Sequence, residues 1–286
     1  MLNSVRSKQV IIIATMLVLV GFLFTREVKG LVKPKDKAKE MPSQASNSVS
    51  SFSIDEVSAT GKNLISSSTA KEIAVLESAF KSASESDKIM EAKQLAQKWD
   101  DVEQAIPSAM YLELVANSEP VLSNWLAAGN RFLKAFETTQ DSLVQPVMLQ
   151  KANASFTKAM ALDSNSTDAK TGLGITIVNG MGAPMSGIAM LLDVVSKEPK
   201  NLKANMNLGI FAIKSGQFDK AITRFNDIIS HIKATPDAYF YLATAYESLG
   251  KNTQAIDAYL NSKKLAANPT LSNFIDKKVA ELKNKR

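Results

Sequence analysis

The chain has 286 residues, 45% of them hydrophobic and 22% charged, which is enough apolar material for one or two folded domains. It contains no cysteine and a single histidine, so disulfides, thiolate metal sites and most histidine-based chemistry are excluded. The net charge of +6 is concentrated: residues 1–40 hold 8 Lys or Arg against 3 Asp or Glu, leaving 26 against 25 elsewhere. A nucleic-acid binder needs a basic folded body, so we expect no nucleic-acid partner.

A hydrophobic segment follows a short N-terminal tail, residues 1–8. Residues 10–25 carry no charge, and further apolar residues extend the run towards the roughly 20 that a membrane span requires. The pattern predicts a transmembrane anchor over residues 9–32. A cleaved signal peptide is the alternative, but Phe22–Thr25 lacks the small residues that cleavage requires, so an uncleaved anchor is favoured.

Two cues disagree about which side of the membrane would carry the body. Arg6 and Lys8 precede the hydrophobic segment and six basic residues follow it, a distribution that favours a cytoplasmic body. A short, basic, acid-free N-terminus that leads straight into an apolar run is instead how export signals begin. The residues alone leave the orientation open.

Residues 33–69 are predicted to form a linker. It begins with a basic octapeptide, and 10 of the 27 residues from Ser43 to Thr69 are serine. Such a composition buries too little apolar area to offset its ordering entropy, so we expect a flexible tether, in which Phe52, Ile54 and Val57 could form a short docking piece.

Helical periodicity begins at about residue 70. Ile73, Leu76 and Phe80 lie three and four apart, on one face of a helix. Ser118-Glu119-Pro120 then precedes another apolar run with the residues that usually start a helix. No stretch shows sustained strand alternation. The sequence therefore predicts an all-α body, with helical hairpins over residues 70–120.

The strongest signal is self-similarity with a period of 34 residues. Leu208-Gly209, Gly216, Ala221 and Phe225 recur as Leu242-Ala243, Gly250, Ala255 and Tyr259, and Leu173-Gly174, Gly187 and Leu191 precede them by 34 or 35 residues. Small residues let two helices approach closely, and the large residue fills the gap between them. The repeating unit is therefore predicted to be a helical hairpin that needs its neighbours.

This pattern resembles the tetratricopeptide repeat family. The best copy reads Tyr239-x₂-Leu242-Ala243-x₂-Tyr246 and then Ala255-x₃-Tyr259; a degenerate earlier copy reads Trp125-x₂-Ala128-Gly129-x₂-Phe132 and then Ala152-x₃-Phe156, with about eleven extra residues between its halves. The resemblance covers residues 121–269. It implies a TPR-like α-solenoid of helical hairpins after the anchor and linker, with residues 270–286 as a C-terminal capping helix.

Members of this family bind peptides in a groove lined by the first helix of each hairpin. Alignment of the copies implies a peptide groove in this chain formed by Ile175, Val178, Lys203, Met206, Ile210, Ile213, Asp237, Phe240, Thr244 and Glu247. Family members that clamp the carboxylates of chaperone tails use Lys, Arg and Asn where this chain has Met206 and Ile210, so a helical or extended apolar peptide fits better. The alternative is that these residues pack against the chain itself or a second copy.

Residues that could suggest chemistry have structural explanations. His231 is expected near the end of a helix, where its charge would be stabilised modestly. Asp100, Asp101 and Glu103 form an acidic cluster expected on a solvated helix surface, because general acid–base catalysis would need a partner and a pocket. We therefore expect no catalytic residue, no metal and no cofactor.

The sequence thus predicts a non-enzymatic, membrane-tethered scaffold, an adaptor or chaperone-like protein that binds other proteins or peptides. The alternative is a self-associating structural organiser of a membrane complex, in which the chain would be a homo-oligomer. Resemblance to bacterial anchored repeat proteins implies a single-pass protein of the bacterial inner membrane and favours the periplasmic side for the body.

Overall fold

The computed structural model describes residues 53–284, which form α-helices, turns and short loops, and no strand lies in that range. The helices of this range are α1 (Ile54–Lys62), α2 (Ser67–Ser82), α3 (Glu85–Asp101), α4 (Ala105–Ser118), α5 (Leu122–Thr138), α6 (Val144–Leu162), α7 (Thr167–Thr176), α8 (Pro184–Lys197), α9 (Leu202–Lys214), α10 (Phe218–Asp227), α11 (Pro236–Ser248), α12 (Asn252–Leu265) and α13 (Pro269–Asn284). The predicted all-α class is confirmed.

The helices from α5 onwards stack as successive hairpins. The pairs α5–α6, α7–α8, α9–α10 and α11–α12 pack together, and α13 packs on α12. The first helix of each hairpin also contacts the first helix of the next, through α5, α7, α9 and α11. Each hairpin therefore buries its apolar face on its neighbours, as in a solenoid. We call these first helices the inner helices and α6, α8, α10 and α12 the outer helices.

Each hairpin closes where a small residue on the inner helix meets a large one on the outer helix. A Cβ atom added to Gly209 would lie 2.6 Å from the Phe225 ring, and one added to Gly129 would lie 2.9 Å from the Phe156 ring. Both rings are fully buried. The 34-residue spacing of small and large residues therefore corresponds to close packing inside each hairpin.

Three hairpin turns share one backbone conformation. Gly216 and Gly250 have φ angles of 74° and 69°, a region that glycine adopts without steric cost, and Glu103 adopts the same region at 57°. After each of them a backbone N–H reaches back five residues, as when the N–H of Gln104 donates to the carbonyl of Trp99 over 2.9 Å. The hairpin α3–α4 therefore turns like the two C-terminal hairpins.

The α3–α4 hairpin also has the close helix contact of the later hairpins. The Ser108 hydroxyl on α4 donates to the backbone carbonyl of Ala96 on α3 over 2.9 Å, and both residues are buried. Trp99 is fully buried beside them, and Pro120 follows the end of α4. Repeat-like packing therefore extends upstream of residue 121.

Helix α1 lies in the segment expected to be a flexible tether. Ser53 caps it: the Glu56 N–H donates to the Ser53 hydroxyl, and the Ser53 N–H donates to the Glu56 carboxylate over 3.1 Å. Val57 is buried in the core with α4, and Lys62 pairs with Glu77 of α2 at 2.6 Å. The capping box and this packing fix residues 54–62 as a helix, so the structure differs from the expected tether there and at residues 67–69, which begin α2.

The predicted localisation must be corrected. The chain was expected to be a single-pass protein of the bacterial inner membrane with a periplasmic body, but no helix within residues 53–284 is long and apolar enough to cross a bilayer. The longest, α6, has 19 residues and carries Lys151 and Lys158, whereas a span needs roughly 20 mainly apolar residues. The predicted anchor, residues 9–32, lies outside the described residues.

Candidate peptide-binding surface

Helices α9, α11 and α13 present an apolar row to one side of the solenoid. Met206 on α9, Phe240 on α11 and Phe274 on α13 are separated by 34 residues each and occupy the same repeat position. The Phe240 and Phe274 rings lie 5.9 Å apart between centroids, and Phe274 remains 45% exposed. Because Met206 and Phe240 are only half-buried, this row is partly accessible to a partner.

A second row of mixed character runs beside the first. Ile210 and Ile213 on α9 and Thr244 on α11 are half-buried. Glu247 on α11 accepts a hydrogen bond from the Tyr259 hydroxyl at 2.8 Å and pairs with Lys278 on α13 at 3.0 Å. The Glu247 carboxylate is therefore committed to holding α11 against α12 and α13. We call the two rows together the C-terminal inner face.

Glycines bring α7 unusually close to its neighbours. A Cβ atom added to Gly172 would lie 2.4 Å from the Phe156 ring, and one added to Gly187 on α8 would lie 2.5 Å from the carbonyl oxygen of Gly174. Beyond α7 the chain continues as a π-helical turn, Ile177–Met181, in which Gly180 has a φ angle of 137°. Helix α7 therefore packs against both α6 and α8 with no room for a side chain at these glycines.

The inner surface over α7 is closed. Lys203 on α9 donates to the side-chain oxygen of Asn130 on α5, a hydrogen-bonded bridge between the two inner helices that flank α7. On α7 itself Thr171 and Ile175 are each only 1% exposed, and Ile175 belongs to the main hydrophobic core. Ile175 was predicted to line the groove. The structure instead places it in the core, where it packs in the same hydrophobic cluster as Leu149 and Leu191.

The remaining predicted groove residues lie at the edges of the inner surface. Val178 is half-buried in the π-helical turn, and Asp237 is exposed in the first turn of α11, where the helix dipole favours its negative charge. Lys203 is exposed at the surface, and its ammonium lies 5.7 Å from the centroid of the Phe156 ring. Partial desolvation by the surrounding protein lowers the pKa of Lys203 below its usual value.

A carboxylate and a phenol flank the same surface. Burial raises the pKa of Glu137, at the end of α5, although Lys134, Lys203 and Lys214 oppose the effect. Burial also raises the pKa of Tyr241 on α11, and Asp237 and Glu137 add to it. The Tyr241 ring stacks on Phe225 with 5.8 Å between centroids. The inner surface is thus a shallow wall of apolar side chains with charged groups at its rim.

The groups that might have suggested chemistry serve as structural contacts. Asp100 forms a bidentate ion pair with Arg131, which joins α3 to α5. His231 is largely exposed, and its Nδ1 atom lies 3.9 Å from the Asp227 carboxylate. Within residues 53–284 no group of three or more His, Asp or Glu side chains is arranged to hold a metal ion.

Comparison with known proteins agrees with this architecture. Residues 237–265 match the tetratricopeptide repeat family model. A tetratricopeptide repeat protein from Parabacteroides merdae ATCC 43184 superposes with a TM-score of 0.58 at 10% identity, covering 84% of this chain and 88% of that chain. PilW, a widely conserved type IV pilus biogenesis factor, superposes with a TM-score of 0.52 at 18% identity, covering 71% and 88%. No curated protein is significantly similar to the chain.

The stacked hairpins and the structural neighbours show that residues 53–284 have the fold of a tetratricopeptide-type α-solenoid, and one of its hairpins matches the repeat model itself. The resemblance drawn from the 34-residue period is confirmed at this level.

Proposed function

We propose that this protein is a non-enzymatic scaffold that binds a helical or extended segment of another protein on its C-terminal inner face. The observation that carries the proposal is the row of Met206, Phe240 and Phe274, backed by Ile210 and Ile213. These apolar side chains are partly exposed in a solenoid whose equivalent upstream surface is buried. Unpartnered apolar rows of this kind are typical of peptide-binding surfaces.

The chemistry of the face favours an apolar partner segment. Met206 is flexible and polarisable and can adapt to different side chains, while the aromatic rings offer large rigid contacts. The one carboxylate in the centre, Glu247, is paired with Lys278 and so does not demand a cationic ligand. A partner would therefore contribute bulky apolar side chains at the centre and polar groups at the rim.

The test is selection of binders from a displayed random-peptide library on the full chain, followed by binding measurements with two variants. Ile210→Glu places a charge in the centre of the C-terminal inner face, and Asn226→Glu places the same charge on the exposed surface of α10 as the matched control. We expect apolar peptides whose binding is lost in Ile210→Glu and kept in Asn226→Glu. Selected peptides that bind both variants equally would contradict the proposal.

The same variants separate peptide binding from self-association. The C-terminal inner face ends at the exposed ring of Phe274, so a second copy of the chain is the competing occupant. Light scattering of the full chain should show a monomer that Ile210→Glu leaves unchanged. A dimer that this substitution dissociates would replace the peptide-binding proposal with a self-associating organiser.

A further inference from the structure

A second surface lies on the opposite side of α9, between the outer helices α8 and α10. Both helices pack on α9 but leave a cleft of about 620 Å³ between them. One wall carries Met185, Ile188 and Leu192, and the floor is formed by Leu208 and Phe211 of α9. The side chains of Met185 and Leu192 are 75% and 47% exposed, which is unusual for neighbouring large apolar residues.

The two walls are spaced and oriented to bind a helix between them. Met185, Ile188 and Leu192 lie at positions i, i+3 and i+7 of α8 and form one stripe about 10 Å long, at 1.5 Å per residue. Lys220, Arg224 and Asp227 form a parallel stripe on α10 with similar spacing. A partner helix between them would pack its own i, i+3 or i+4, i+7 stripe on the apolar wall.

Arg224 identifies the polar group that such a helix should carry. Its Nη1 atom donates to the side-chain oxygen of Asn205 over 2.7 Å. Asn205 is itself buried and held by two hydrogen bonds of 2.9 Å, to the carbonyls of Pro199 and Asn201. The guanidinium is therefore fixed in place at the edge of the cleft. Pre-organisation of this kind lowers the entropy cost of binding a ligand.

The charge of Arg224 is incompletely compensated. It is half-buried, and burial lowers its pKa, while Asp227 at the next turn of α10 favours the charged form. No carboxylate within residues 53–284 comes within ion-pair distance of the guanidinium, and the two other charged side chains on this wall are the basic Lys220 and the acidic Asp227. A partly desolvated, unpaired guanidinium favours a carboxylate, which can accept two parallel hydrogen bonds.

From these contacts we propose that the cleft between α8 and α10 is a second protein-docking site, and that its ligand is an acidic amphipathic helix. Its apolar stripe packs on Met185, Ile188 and Leu192, and a flanking Asp or Glu pairs with Arg224. Because the cleft and the C-terminal inner face lie on different sides of α9, one molecule of the chain can hold two partners at once. The site is independent of the inner face and of the function proposed for it.

The displayed random-peptide library provides the probe for this site. Among peptides selected on the full chain, we expect a group with apolar residues at i, i+3 or i+4 and i+7 and a flanking acidic residue. Leu192→Glu should abolish their binding. Arg224→Gln should weaken it about tenfold, the loss of one charge-assisted hydrogen-bonded pair. Ile210→Glu and Asn226→Glu, which lie outside the cleft, should leave it unchanged.

A change made in the peptide separates loss of the ion pair from damage to the fold of the protein. Arg224→Gln removes a partner of Asn205, so thermal unfolding of that variant must match the wild type for its result to count. Replacing the acidic residue of a selected peptide by Gln should weaken binding to the wild type about tenfold and have no effect on binding to Arg224→Gln.

Three results would overturn the docking site. In the first, every selected peptide loses binding in Ile210→Glu and keeps it in Leu192→Glu. That result would leave the proposed function intact. Peptides that depend on Leu192 could lack an acidic residue, or bind equally well after their acidic residue is replaced by Gln. Selection could also yield no binder sensitive to either cleft variant.

Discussion

The inner surfaces over α7 and over α11 are built from the same repeat positions and differ in exposure. Over α7, Thr171 and Ile175 are buried, and the bridge from Lys203 to Asn130 links the two flanking inner helices. Over α11, the equivalent residues Phe240 and Thr244 remain half-exposed. The difference shows that a repeat position does not by itself define a groove residue. What covers that position in the folded stack decides whether it is core or binding surface.

The largest expected effect comes from placing one charge at equivalent positions of the two surfaces. Ile175→Glu should lower the free energy of unfolding by about 4 kcal/mol or more, because the carboxylate would be buried without a partner. Ile210→Glu should cost about 1 kcal/mol, because that side chain can reach solvent. Urea denaturation of both variants measures the contrast. Equal losses would mean that the two surfaces are equally buried.

The tight packing of α7 against α8 gives the next largest effect. Gly187→Ala should lower the free energy of unfolding by about 2 kcal/mol, since the new methyl group would meet the carbonyl oxygen of Gly174. Ala221 and Ala255 already occupy this position in the next two hairpins, so alanine is tolerated where the helices are further apart. Ala221→Gly, the reverse change, serves as control and should cost about 1 kcal/mol through helix propensity. A neutral or stabilising Gly187→Ala would refute the closer approach.

A substitution in the turn at Glu103 should stabilise the protein, in contrast to the two preceding changes. Glu103→Gly is expected to raise the free energy of unfolding by about 1 kcal/mol, because it removes the steric cost of a left-handed conformation. At Gly216 and Gly250 the same conformation is already occupied by glycine. Thermal unfolding should show a higher midpoint for the variant. A lower midpoint would indicate that the Glu103 side chain makes a contact that outweighs the strain.

The smallest effect concerns the rim of the inner surface. Because burial raises the folded-state pKa of Glu137 above its unfolded value of about 4.5, the folded protein binds more protons there than the unfolded chain. The contribution of Glu137 to stability is therefore present below that value and is lost as the pH rises through the folded pKa. Glu137→Gln should remove this fall in stability with rising pH. An unchanged pH profile would place Glu137 in bulk solvent.

The repeat itself could be predicted from sequence because it rests on local contacts. Gly209 contacts Phe225 within one hairpin, and Gly216 forms the turn between its helices. Both the contact and the turn therefore recur at a constant spacing in the sequence. The repeat pattern did not reveal the hairpin α3–α4. Glu103 occupies the position that is glycine in the later hairpins, and Ser108 occupies the position that is alanine in the last two. The 12-residue offset from Ala96 to Ser108 was a signal that could have revealed it.

The closure over α7 could not be predicted in the same way. It involves Lys203 and Asn130, which are 73 residues apart in sequence and come together only in the folded stack. Nothing in the spacing of the repeat encodes that contact. The cleft between α8 and α10 likewise has no sequence motif that predicts it, because its walls come from two different repeats.

The most direct test uses isoleucine side chains as reporters on both surfaces. Methyl NMR spectra of the full chain, recorded before and after addition of a peptide selected on its C-terminal inner face, would compare Ile175 with Ile210 and Ile213. We expect the methyl signals of Ile210 and Ile213 to shift and that of Ile175 to stay unchanged. A shift of the Ile175 signal with Ile210 and Ile213 unaffected would contradict the account.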